Sequence, residues 1–218
     1  MPAWTLPMKT RDRILDVSLD LFNKEGEANQ AAVDIANALN MSPGNLYYHF
    51  KGKEPIIEAL FDRFEEEMKI ILNGVDSNIA SIEDNWIFAY IVLEEIYDFR
   101  FFYRNLGDLL ARYSSLASRF RKVLAMKRAA IETLLKGAQK RGLVHIDKRL
   151  RSHLVDQLVS TWTFWLSRDM IEGETRSGPQ LIHDTVLQFM LLIVPYMGEE
   201  GFDAMHAMLE RHRKMTAD

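Results

Sequence analysis

Residues 31–54 read AAVDIANALNMSPGNLYYHFKGKE, and their spacing decides the fold. Ala32, Ile35, Ala36 and Leu39 fall at i, i+3, i+4 and i+7, which predicts a short helix over about 31–39 whose small inner face lets a neighbour approach closely. Asn40 tolerates the left-handed conformation that ends a helix abruptly. Ser42 is a good N-cap and Pro43 suits the first helical position, so the next helix starts at once and runs over about 43–49, with Leu46 and Phe50 turned inward. Two short helices joined by about three residues are a helix-turn-helix.

In that motif the second helix enters the major groove of DNA. Pro43, Gly44, Asn45, Tyr47, Tyr48 and His49 are left outside, and none is a carboxylate. Gly44 permits close backbone approach, Asn45 can hydrogen-bond a base or a phosphate, and tyrosine hydroxyls donate to phosphate oxygens while their rings meet a thymine methyl. Lys51 and Lys53 fall at the following helix start, where free N–H groups also favour an anion. The competing reading is that Tyr47 and Tyr48 cover core, as most helical aromatics do. The segment alone leaves both open.

Outward from this motif, helical spacing recurs along the chain and no run alternates with period two long enough to argue a sheet, so the fold is predicted all-α. Helices are expected over about 9–25 with Gly26 as stop, 53–73, 82–98, 100–112, 115–141, 148–172, 179–197 and 199–213. The change of character after residues 74–77 argues two domains, residues 1–56 with the helix-turn-helix and residues 57–218 as an aromatic-rich helical part, with the helix over 53–73 linking them.

The 218 residues are 48% hydrophobic, contain no cysteine and carry a formal net charge of -4. Absent thiols exclude disulfides and cysteine chemistry, and the longest nearly unbroken apolar run, residues 189–197, is too short to span a bilayer, so a cytoplasmic protein with no membrane contact is expected. Residues 1–60 hold six Lys and Arg against eight Asp and Glu, a balance of -2. A DNA-binding reading therefore rests on placement and not on bulk charge. No G-x-S-x-G elbow, G-x-G-x-x-G turn or Walker loop is present, and the scattered histidines pair on no helix face, so catalysis, metals and cofactors are not expected.

The stretches KTRDRILDVSLDLFNKEG and DIANALNMSPGNLYYHFKGKEPIIEALFDRFEEE within residues 9–67 resemble the DNA-binding domain of the TetR (tetracycline-repressor-like) family of bacterial regulators. The resemblance implies that Gly44, Asn45, Tyr47, Tyr48, His49 and Lys53 match positions that commonly touch DNA, and that Thr10 and Arg11 sit where an N-terminal arm reaches the backbone. Gln30 stands where the family often has a phosphate-binding threonine, Pro43 where it often has a base-contacting lysine or arginine, and Asn40 where a turn glycine is usual. With Ser42 and Lys51 these complete the candidate DNA surface. FNKEGEANQ, SPGNLYYHFKGKEP and YDFRFFYRNL are similar to regulators of polyhydroxyalkanoate gene clusters within the family, which would make Met8 the natural start and residues 1–7 a leader.

The same resemblance implies a C-terminal half that dimerises through its last long helices and encloses a small-molecule pocket. Residues 179–197 are apolar nearly all round, so they must be covered on more than one face. Trp86, Tyr90, Phe99, Phe102 and Tyr103, with Trp162 and Trp165 opposite, are candidate walls of a shared apolar pocket, and Arg100 and Arg104 candidate partners of an acidic head group on the effector. Ordinary aromatic core is the plainer account of any one ring. The function expected is a repressor that binds a palindromic duplex operator as a homodimer and is released by an apolar small molecule. The alternatives are a helical protein-interaction scaffold and an activator without small-molecule control.

Overall fold

The computed structural model describes residues 9–75, 81–173 and 176–215, with side chains up to residue 210. The expected leader, residues 1–7, and Met8 lie outside the described residues. Among the described residues eleven α-helices follow one another: α1 (Thr10–Glu25), α2 (Ala32–Ala38), α3 (Pro43–His49), α4 (Lys53–Asn73), α5 (Ile82–Asp98), α6 (Arg100–Arg104), α7 (Leu106–Arg112), α8 (Ser114–Lys140), α9 (Lys148–Glu172), α10 (Gly178–Leu191) and α11 (Glu199–Met215). The only strand-like pairing among the described residues is an isolated bridge between Val144 and Met197.

Two differences from the expected helices have local causes. Residues 100–112 form two short helices, broken at Asn105, whose φ of -128° and ψ of 46° are not helical. The last apolar helix stops at Leu191, not near 197, and a single 3-10 turn over Val194–Tyr196 follows. Pro195 accounts for this, because its ring would meet the carbonyl of Leu191 and it has no N–H to donate. Elsewhere the caps behave as their residues dictate. Asn40 takes a φ of 53°, and Asp147 accepts from the Arg149 N–H at 2.8 Å to open α9.

The chain divides into two units, residues 1–66 with 99–117, and residues 67–98 with 118–218. The division does not follow the expected boundary at 56/57, and the reason is aromatic. In the first unit α2 packs against α1 and α3, and Ile14, Phe22, Ile35, Leu46 and Ile56 are buried. Phe61 and Phe64 extend that core to residues 99–103: Phe64 meets Phe99, Phe102 and Tyr103 with ring centroids 5.5, 5.9 and 5.8 Å away, and Phe22 meets Phe101 at 5.3 Å. Asn23 adds polar ties. Its Oδ1 accepts from the Phe101 N–H at 3.1 Å and its carbonyl from Arg104 Nη1 at 2.8 Å.

In the second unit α10 packs on α5 and α9, and α11 on α5. Trp162 is fully buried and stacks on Phe189 at 4.7 Å. Gly178 opens α10 where a Cβ would lie 2.6 Å from the Tyr97 ring, so no larger residue fits without moving it.

Two ionisable groups of this unit, the fully buried Lys127 and the half-buried Glu95, are displaced from their ordinary titration ranges. Burial pulls the Lys127 ammonium down to about 7 from 10.5. Burial, followed by the charges of Asp98, Glu67 and Glu94, pushes the Glu95 carboxyl up to about 7 from 4.5. Between 4.5 and 7 the folded chain keeps a proton on Glu95 that the unfolded chain has released, so stability falls as pH rises. Above 7 the unfolded chain keeps a proton on Lys127 that the folded chain has lost, so stability climbs with pH until 10.5. Thermal unfolding measured from about pH 5 to about pH 9 is expected to show its lowest midpoint near neutrality, with Lys127→Met removing the alkaline limb. A midpoint that rises throughout, or an unaltered limb in the variant, would contradict this assignment.

Candidate DNA-reading surface

The recognition segment is built from its caps outward. The Ser42 side chain accepts from the Asn45 N–H at 3.2 Å, and Pro43 sits in the first helical turn, so α3 starts cleanly after the Asn40 turn. Seven residues give two turns, which commits each position to one side. Leu46 and Phe50 are buried, while Tyr47 and Tyr48 are 56% and 78% exposed. An aromatic ring left that open covers no core of the protomer, which sets aside the core-covering reading of the tyrosine pair. Pro43, Gly44 and Asn45 are exposed beside them, and His49 is half-buried with its ring edge-on to Tyr48 at 5.2 Å.

Two cations flank this face. Lys51 holds its ammonium 4.5 Å from the Tyr47 ring centroid, and the Arg11 guanidinium lies 4.3 Å from that of Phe50. Both are exposed, so each retains donors for a phosphate. Thr10 begins α1 and is half-buried, and Gln30 is half-buried just before α2.

Lys53 differs from expectation. Its Nζ lies 2.8 Å from Glu27 Oε1 and donates to the Glu27 carbonyl at 3.0 Å, leaving the side chain 22% exposed. Expected as a phosphate contact, it is turned inward because Glu27 is buried and requires cations. Arg112 Nη2 lies 2.7 Å from Glu27 Oε2, and the Tyr113 hydroxyl donates to Oε1 at 2.6 Å. Burial opposes ionisation of Glu27, yet the hydrogen bonds from Lys53, Tyr113 and Arg112 hold its carboxyl below the ordinary range. The sequence reading passed over Glu27, Arg112 and Tyr113, because local sequence marks a glutamate after a helix-ending glycine as a solvated loop residue.

The proposed effector residues separate into two groups. Phe99, Phe102 and Tyr103 are spent on core contacts with Phe64, with Phe102 and Tyr103 wholly buried, and Arg104 is engaged by the Asn23 carbonyl. Rings engaged in this way contribute to the core of the first unit, the plainer account of any one ring. Arg100 is half-buried at the start of α6. In the second unit Trp86 contacts His183 at 5.1 Å and Trp162 is stacked on Phe189. Tyr90 lines an open cleft of about 520 Å³ with Arg176 and His183, and Trp165 another of about 290 Å³ with Phe164 and Arg168. A third cavity, of about 40 Å³, is almost wholly apolar and is walled by Ile82, Leu134, Leu158, Phe189 and Met190, with Asn85 its one polar side chain.

Comparison with known proteins adds the lineage. Residues 14–60 match the model of bacterial regulatory proteins of the tetR family, and residues 63–205 that of a bacterial transcriptional repressor. The chain belongs to the TetR family. A TetR-family regulator from Marinobacter aquaeolei VT8 superposes with a TM-score of 0.85 at 31% identity, covering 94% of this chain and 98% of that one. Two curated relatives are the probable transcriptional regulator YttP of Bacillus subtilis strain 168, 29% identical over 76 residues, and the transcriptional repressor KstR2 of Rhodococcus jostii RHA1, 32% identical over 78. These alignments cover 35% and 34% of this TetR-family chain, and they span only 37% and 38% of the relatives. Family and relatives are transcriptional regulators and not enzymes. Among the described residues no helix is long and apolar enough to cross a membrane.

Proposed function

We propose that this TetR-family regulator is a repressor that grips a two-fold duplex operator as a homodimer, reading it with α3, and lets go when an apolar small molecule enters its second unit. The observation that carries the proposal is the open tyrosine pair: two large rings are held out by a helix whose other side is anchored through Leu46 and Phe50. Asn45 and Tyr47 supply base contacts, and Tyr48, Arg11 and Lys51 supply phosphate contacts. Selection of binding duplexes from a random library by the wild-type protein tests this. Enrichment of an inverted repeat with half-sites about one helical turn apart, or a multiple of it, is the expected result. Recovery of no sequence would leave the scaffold reading in its place. Transcription that rises when the selected site is occupied would favour the activator.

On the duplex so selected, Tyr48→Phe is expected to weaken binding by roughly 0.5–1.5 kcal/mol for any sequence, since one hydroxyl donor is lost. Asn45→Ala is expected to change which bases are preferred, because base contacts carry the specificity. Competition gel shifts with selected and random duplexes measure both. Equal losses on both duplexes for Asn45→Ala would take it out of the groove.

The dimer rests on Phe164 of α9, Leu191 at the end of α10 and Leu192 just after it, which stand 55%, 49% and 37% exposed. Large apolar side chains exposed together on adjacent helices are the material of an isologous four-helix contact. The apolar cavity supports the effector part. A single-ring compound needs on the order of 150 Å³, so entry must displace side chains, and Met190 is a flexible one on the wall. Thermal-shift screening with straight-chain acids and monocyclic aromatics, repeated on Leu134→Trp, is the check. Binding retained by that variant would move the site elsewhere. Control of a polyhydroxyalkanoate cluster is the narrower form of this reading, supported by the stretches FNKEGEANQ and YDFRFFYRNL.

A further inference from the structure

The Glu27 cluster joins three segments that lie far apart in sequence. The carboxylate, 3% exposed, receives Lys53 from the first turn of α4, Arg112 from the last turn of α7, and Tyr113 from the residue between α7 and α8. Ser115 in the first turn of α8 donates to Glu58 Oε1 of α4 at 2.9 Å, a second tie between the same two segments. Only residues 50–52 separate α3 from α4, and Phe50 among them is fixed in the core, so the position of the Lys53 turn sets where α3 can stand. The chain leaves and re-enters this unit at either side of residues 99–117, between α5 and the body of α8.

A buried carboxylate held between Lys53, Arg112 and Tyr113 has few equivalent arrangements. Shifting any one donor by an ångström breaks a short charge-assisted bond and leaves charge without a partner in a dry site. The cluster therefore transmits displacement instead of absorbing it.

We propose that Glu27 is a positioning residue for DNA recognition: it locks the first turn of α4, and with it the tyrosine face of α3, to Arg112 and Tyr113, so that movement at the α7–α8 junction reorients the reading helix. This rests on α3 being the reading helix.

The experiment uses the full chain and the duplex that the wild-type protein selects from a random library, with a random-sequence duplex of the same length as control. Tyr113→Phe and Arg112→Met each remove one donor while keeping most of the side-chain volume, and both are measured well below their unfolding midpoints, followed by circular dichroism. Affinity for the selected duplex is expected to fall roughly 3- to 30-fold, with affinity for the random duplex changed by no more than about twofold. Because both donors act through one carboxylate, Arg112→Met combined with Glu27→Gln should weaken selected binding by less than the product of the single effects. Should Glu27→Gln fail to fold, Lys53→Met replaces it in the cycle. A purely structural cluster would lower the unfolding midpoint and leave the ratio of selected to random affinity as it was, which overturns the proposal. Multiplicative effects in the cycle overturn it as well. A wild-type protein that enriches no duplex instead removes the DNA reading beneath it, a result that no variant is needed to see.

Discussion

Cutting Phe64 back to alanine is expected to cost about 3–5 kcal/mol, a large share of the roughly 5–15 kcal/mol that keeps a typical domain folded. The ring is fully buried and has four aromatic neighbours, Phe61, Phe99, Phe102 and Tyr103, with centroids between 5.5 and 5.9 Å. Its removal forfeits the transfer energy of a phenyl group and opens a hole, because four rigid rings on different helical segments cannot all collapse inward. Urea unfolding of the variant should show the loss directly. Phe64→Leu, which keeps most of the volume, should recover more than half of it. An alanine variant losing less than about 1.5 kcal/mol would mean that residues 99–103 are not part of this core.

The second large effect concerns assembly. Phe164→Glu with Leu191→Glu places two carboxylates at positions about half exposed in the protomer, where substitutions ordinarily change stability by no more than about 0.5 kcal/mol. In a four-helix contact each is duplicated by symmetry, which brings four charges into one apolar patch. The expected product is a folded monomer in sedimentation. Its operator affinity should drop by about 100-fold or more, since the second half-site would no longer be held at high effective concentration. A dimer that survives the double substitution would put the interface on another face.

The helix-turn-helix was largely legible in the sequence because its rules are local. Ser42, Pro43 and Asn40 determine backbone geometry within a few residues of themselves, and the structure sets α3 where they direct. The end of α10 was legible too, in Pro195, although the apolar run through Met197 outweighed it when hydrophobicity alone was followed. The assignment of rings was another matter. Phe99, Phe102 and Tyr103 announce burial by their composition, but whether an aromatic faces a cavity or another ring depends on partners such as Phe61 and Phe64, some forty residues away. Glu27 is the sharpest case, since its donors are 26, 85 and 86 residues distant and nothing beside it in the chain marks it as buried. The inward turn of Lys53 was hidden with it: a lysine at a helix start looks like an exposed anion contact until a carboxylate beneath it comes into view.

That inward turn of Lys53 has a consequence for the ions around the operator. A DNA-binding protein gains much of its affinity by releasing counterions, one for nearly every phosphate it neutralises. With Lys53 committed to Glu27, each protomer of the proposed dimer would bring Arg11, Lys51 and at most one more cation, such as the exposed Lys9, to the DNA backbone. A dimer thus neutralises about four to six phosphates, and the logarithm of its affinity should fall with the logarithm of salt at a slope of about -4 to -5, about half of what a heavily cationic repressor displays. A regulator so built would depend on neutral tyrosine and asparagine contacts for its grip, and its occupancy of the operator would be buffered against the swings in ionic strength that strip a more highly charged protein from DNA.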